Sequence, residues 1–140
     1  MNASRGLYTP EVLATAMELA GHPWDDTWPL RGIARSRTCG SMIELALEAD
    51  GHGAIVRIGA RPHACAIGQA AAALFLRSAA GNDAAAIAAA RDAIAEWLSG
   101  GDDFPDWPGL ALLEPARAHS ARHPAILLAW DAALDALRTG

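Results

Sequence analysis

The chain has 140 residues, 52% hydrophobic and 19% charged, which is one domain's worth of sequence and too apolar to stay disordered. Its formal net charge is −5 and its 11 basic residues are all arginine, so nucleic acid is not an expected partner. The longest stretch free of formal charge, Pro62 to Leu76, has 15 positions where a membrane span needs about 20. No apolar run of signal-peptide length opens the chain, so a cytoplasmic, membrane-free protein with reduced thiols is expected.

Thr9, Pro10 and Glu11 read as an N-cap, a first-turn proline and an acid at the positive end of a helix dipole. The helix they open carries Val12, Leu13, Ala16, Met17 and Ala20 as its apolar side, and Gly21 and Pro23 stop it. Trp24 to Pro29 is a connecting loop. From Arg31 the period falls from 3.6 to 2: Ile43, Leu45 and Leu47 alternate with Glu44, Ala46 and Glu48, and Val56, Ile58 and Ala60 with Arg57 and Gly59. Asp50-Gly51-His52-Gly53 supplies a hairpin loop between these strands. Pairing across it sets Glu44 and Glu48 on the same solvated face as Arg57 and Arg61. Arg31 to Thr38 adds a third strand, with Thr38-Cys39-Gly40-Ser41 as its turn into the next.

After Pro62 the pattern becomes helical. Ala66 to Ala80 is alanine-rich and ends before Gly81; the next helix is capped by Asn82 or Asp83 and buries Ile87, Ile94, Trp97 and Leu98 up to Ser99. Asp102 to Gly109 is a loop or a single turn. The last helix starts near Pro124 and buries Ile126, Leu127, Trp130, Leu134 and Leu137. The expected architecture is α+β, a three-stranded antiparallel sheet packed against several helices, as one domain over residues 1 to 140.

Two cysteines, 26 positions apart, exclude zinc-finger and C-x-x-C spacings. Cys39 falls in an inter-strand turn and Cys65 at a helix start, which puts both at one end of the sheet. A helix N-terminus favours thiolate over thiol, so Cys65 is the better sulfur-accepting candidate. Read from the residues alone, two buried, inert small hydrophobes remain the alternative. His63, two before Cys65, stands where it could polarise that thiol or bind metal. His22 and His52 fall in turns and read as solvated. Arg35, Arg37, Arg57 and Arg61 read as the cover of the wet sheet face, and Trp24, Trp28 and Trp107 as lids over core edges.

Arg37-Thr38-Cys39-Gly40-Ser41 and His63-Ala64-Cys65-Ala66-Ile67-Gly68-Gln69-Ala70 resemble the Cys-Gly-Asp turn and the Gly-Cys-x-x-x-x-Ala-Ser segment of iron–sulfur cluster assembly scaffolds of the IscU/SufU type, the NifU N-terminal domain. The resemblance runs from Tyr8 to the final helix. It implies a NifU-like scaffold, not an enzyme, that binds iron, an iron–sulfur cluster or zinc through Cys39 and Cys65. Its implied partners are a cysteine desulfurase and cluster-accepting proteins, and its state a monomer or homodimer. The family aspartate is here Ser41, and the run Ser120 to Trp130 places Ala125 where the third cysteine belongs. Two thiolates leave a tetrahedral site two ligands short. His123 or His119 from the segment before the last helix, with His63 as a further donor, could complete it, as could two protomers sharing their cysteines. The chain could instead use Cys65 or Cys39 to accept persulfide sulfur, or keep only an interaction surface. Glu114-Pro115-Ala116-Arg117 is a faint counterpart of the family's chaperone-recognised stretch.

Overall fold

A computed structural model describes residues 7–37 and 40–139. Helix α1 spans Pro10–Met17 and tightens into a 3-10 turn over Glu18–Gly21. Strands β1 (Leu30–Arg35), β2 (Met42–Ala49) and β3 (Ile55–His63) follow, then α2 (Ala66–Ser78) and α3 (Ala84–Leu98). A 3-10 segment over Leu110–Ala118 and a short 3-10 turn at Ser120–Arg122 lead into α4 (His123–Thr139).

The sheet is an antiparallel meander in the order β1-β2-β3. Glu44 faces Arg61 and Glu48 faces Arg57 across β2 and β3, as the charge pattern requires. Only the second pair closes into an ion pair, at 2.6 Å. Such an exposed pair contributes about 0 to 1 kcal/mol, so the register rests mainly on the wholly buried Ile43, Leu45 and Leu47. Arg61 lies instead over the Trp24 ring, 4.0 Å from its centroid, with Arg31 at 4.9 Å. Trp24 is therefore a stacking partner for two guanidinium groups. Trp28, too, belongs to the outer face: a Cβ on Gly59 would come within 3.0 Å of its ring and would collide with the Pro23 carbonyl. Trp107 is a lid as expected, 5% exposed, with its Nε1 donating to the Leu74 carbonyl at 2.9 Å.

The helices back the other face. Helix α2 runs through the centre, buried without a break from Ala70 to Leu76, because its alanines let neighbours approach on every side. Thr9 caps α1 by accepting from the Val12 amide, and Asp83 caps α3 by accepting from the Ala86 amide. The α3 stripe is the expected Ile87, Ile94, Trp97 and Leu98. Two helical stripes differ from expectation. In α1 the buried positions are Val12, Thr15 and Ala16, with Leu19 in the 3-10 turn, whereas Leu13 is 46% and Met17 78% exposed. The change to a tighter helix after Met17 turns Leu19 inward and leaves Ala20 exposed. In α4 Ile126, Leu127 and Trp130 are buried as expected, but Leu134 and Leu137 are only half-buried, and the line Ala129, Ala132, Ala133 and Ala136 is fully buried instead. Gly32 of β1 accounts for this line, since any Cβ there would collide with the Ala132 carbonyl and stand 2.5 Å from the Ala136 amide nitrogen.

Candidate functional site

The end of the sheet where β1 leaves and β2 returns is closed by the Ser36 amide donating to the Ser41 carbonyl at 2.8 Å. Next to it Met42 pairs with His63 on β3, so the β1–β2 loop and the exit of β3 into α2 share one rim. Cys39, in that loop, lies outside the described residues, and with it the expectation that the two thiols meet at one end of the sheet.

Cys65 is the N-cap residue of α2, in extended backbone geometry (φ −64°, ψ 167°) and half-buried against the core. Its side chain makes no capping hydrogen bond, while its carbonyl accepts from the Gln69 amide at 2.9 Å. Gln69 also turns back to donate from Nε2 to the Ala64 carbonyl at 2.8 Å, which fixes the backbone on the other side of the cysteine. The thiol is thus held on a rigid element and committed to no capping role.

Position 125 belongs to this neighbourhood. A Cβ on Gly68, one turn after Cys65, would stand 3.0 Å from the Ala64 Cβ and 3.3 Å from the Ala125 Cβ. Glycine at 68 lets the start of α4 pack closely on the start of α2, and Ala125 is fully buried there. Where the resemblance expects a third thiolate, the chain has a methyl group in van der Waals contact. Ser41, at the aspartate position, is 4% exposed.

The histidines diverge. His123 Nε2 stands 3.0 Å from the Ala116 carbonyl and 3.1 Å from that of Arg117, so this nitrogen acts as a donor and ties α4 to the preceding 3-10 segment. Only Nδ1 remains to meet a metal. His119 lines a groove with Leu7, Tyr8 and Arg122. His63 is exposed at the end of β3. Among the described residues no three histidine, cysteine, aspartate or glutamate side chains converge as a metal site. Of the described candidate ligands, the Cys65 thiol makes no capping bond, His63 is exposed, and His123 keeps only Nδ1.

A groove of about 430 Å³ lies along α4 beside the same rim, between Arg35, Ser36 and Arg37 on one side and Pro124, Leu127 and Leu128 on the other. Its walls come from β1, α3, α4 and the 3-10 turn before α4, segments that only folding brings together. Among the described residues no helix is long and apolar enough to cross a membrane.

No family model matches the sequence, and neither does any curated protein. Solved structures do match it. A nitrogen-fixing NifU-like protein (N-terminal) from Brucella abortus superposes with a TM-score of 0.79 at 26% identity, covering 98% of this chain and 96% of that one. A putative iron–sulfur cluster assembly scaffold protein for the SUF system, SufU, from Fervidobacterium islandicum AW-1 gives a TM-score of 0.82 at 18% identity, covering 96% of this chain and 98% of that one. Together with the Cys39 and Cys65 segments, these matches make the chain a structural relative of the NifU-like and SufU proteins, sharing their α+β fold along nearly its full length.

Proposed function

We propose that this protein serves iron–sulfur cluster assembly as a scaffold-type protein, with Cys65 and Cys39 handling sulfur and, through it, iron or zinc as cargo. The observation that carries this reading is the uncommitted Cys65 thiol at the head of the central helix, on the rim where the loop bearing Cys39 leaves and rejoins the sheet. The scaffold named among its structural relatives supports it. The protein acts without turnover chemistry of its own, in the cytoplasm, between a cysteine desulfurase and proteins that take up clusters.

A second reading is favoured by Ala125. With the third ligand position filled by a buried methyl, one protomer has too few thiolates to enclose a cluster. In this reading Cys65 is a persulfide acceptor: its thiolate attacks the outer sulfur of a desulfurase persulfide, a new S–S bond forms at Cys65, and the desulfurase leaves as a thiolate with no net redox change.

Anaerobic reconstitution with iron and sulfide, and separately with zinc, tests both readings on the wild type and on Cys65→Ser and Cys39→Ser. Stoichiometric metal lost in either variant supports the scaffold. Persulfide on Cys65 after incubation with a desulfurase, without metal, supports the acceptor. A protein inert in both assays would overturn the proposal and leave an interaction module of the same fold.

A further inference from the structure

The groove beside α4 has a chemistry that the cysteines do not explain. β1 is an edge strand, and an edge strand must dispose of its outward backbone groups. In an antiparallel ladder, inward- and outward-pointing residues alternate. Ser36 donates inward to Ser41, so Arg31, Ile33 and Arg35 point their amides outward. The Ile33 amide is met by a carboxylate, Asp135 Oδ2 of α4, at 2.9 Å. One turn earlier on the same face of α4 stands Asp131, the side chain that would meet the next outward amide, that of Arg35. Its Oδ1 instead accepts from Nε of Arg91 on α3 at 2.9 Å. Among the described residues no acceptor meets the Arg35 amide.

The charges repeat the pattern. Of the described arginines, residues 31, 57, 61, 77, 91 and 117 have a carboxylate within ion-pair distance. Arg35, Arg37, Arg122 and Arg138 have none among the described residues, and of these four only Arg35 and Arg37 line the groove. In a chain of net charge −5, two unpaired guanidinium groups beside an open strand edge and an apolar wall of Pro124, Leu127 and Leu128 form a local site of opposite sign.

We propose that this groove docks an extended acidic segment of a partner protein, laid antiparallel or parallel against the end of β1. Its backbone takes the Arg35 amide, its carboxylates take Arg35 and Arg37, and its alternate apolar side chains rest on Leu127 and Leu128. The Asp135–Ile33 contact shows that an acid already completes this edge one step away. Cys65 does not line the groove but His123 does, so the docking face adjoins the candidate sulfur site without including its thiol.

The probe is an acetylated, amidated peptide of alternating aspartate and leucine, titrated into the full chain and followed by amide chemical shifts, with a lysine–leucine counterpart and succinate as controls. Saturable shifts centred on Arg35, Ser36, Leu127 and Leu128 are expected, weakening as salt rises. Arg35→Gln with Arg37→Gln should weaken binding roughly tenfold, while Arg57→Gln with Arg138→Gln, the same loss of charge elsewhere, should change it less than about twofold. Circular dichroism on both double variants checks that they fold. Any of four results overturns the proposal: no saturable shift at millimolar peptide; equal binding of the lysine peptide; the same response to succinate at matched carboxylate concentration, which would mean a simple anion site; or unchanged affinity in a folded Arg35/Arg37 double variant.

Discussion

Ala125 and Gly32 show how much one missing or extra heavy atom decides in this protein. Ala125 stands where the resemblance expects a ligand, one helical turn from Cys65 through Gly68. If the scaffold reading holds, Ala125→Cys should raise the zinc that survives gel filtration towards one ion per chain, read by metal analysis. Placing a sulfur in that filled space should cost about 1 to 3 kcal/mol in urea unfolding. Unchanged zinc in a folded variant would count against a shared metal site at this rim. Gly32→Ala asks a different question, since the atoms in the way are backbone atoms of α4. A loss of about 3 kcal/mol is expected by the same measurement, as neither side can yield by changing a rotamer. The Gly32 contact could not be read from sequence, since a glycine in a strand carries no local mark of what crosses it; Ala125 was legible as the missing cysteine but not as the buried neighbour of Gly68.

The elements themselves were far more legible, because their signals are local. Thr9 caps the helix its position announced, and of the two candidates Asn82 and Asp83 it is Asp83 that caps α3; Asp83→Ala should lower stability by about 1 kcal/mol in thermal or urea unfolding. The Asp50 turn also formed as written: its Oδ1 accepts from the Ala54 amide at 3.0 Å and the His52 amide at 2.8 Å. These bonds hold the Asp50 carboxyl below its ordinary range, the Ala54 bond first and the His52 bond next. A depressed folded pKa stabilises the ionised form. Its contribution is therefore complete above about pH 4 and disappears as pH falls through the lower folded value. Asp50→Asn should flatten the acid limb of the stability–pH curve in that window; an unchanged limb would show that the turn bonds do not couple to folding. The element not foreseen was the 3-10 segment Leu110–Ala118. Its buried residues Leu110, Leu113 and Ala116 recur every three positions, a period that fits neither an α-helix nor a strand.

At the scale of the whole molecule, three aromatic rings join parts of the chain far apart in sequence. Phe75 stacks on Trp107 at 5.4 Å, and Trp130 meets both rings edge-on. Trp130 Nε1 is buried and has no hydrogen-bond partner among the described residues. Trp107→Ala should cost about 3 to 5 kcal/mol, because it opens a cavity and strips the Leu74 carbonyl of its donor; unfolding followed by near-ultraviolet circular dichroism would measure it. A loss under about 1 kcal/mol would mean that the loop before the 3-10 segment is not anchored by this ring.

The bare contact of β1 with α4 at Gly32 has a mechanical consequence. A joint whose largest side-chain group is the Ala136 methyl has little slack, so small repacking steps do not let the helix slide or roll over the strand, and the two travel together as a single lever. Whatever shifts when sulfur, metal or a partner arrives must be accommodated in the segments that join these elements, while the lever keeps the start of α4 at a constant distance from the sheet.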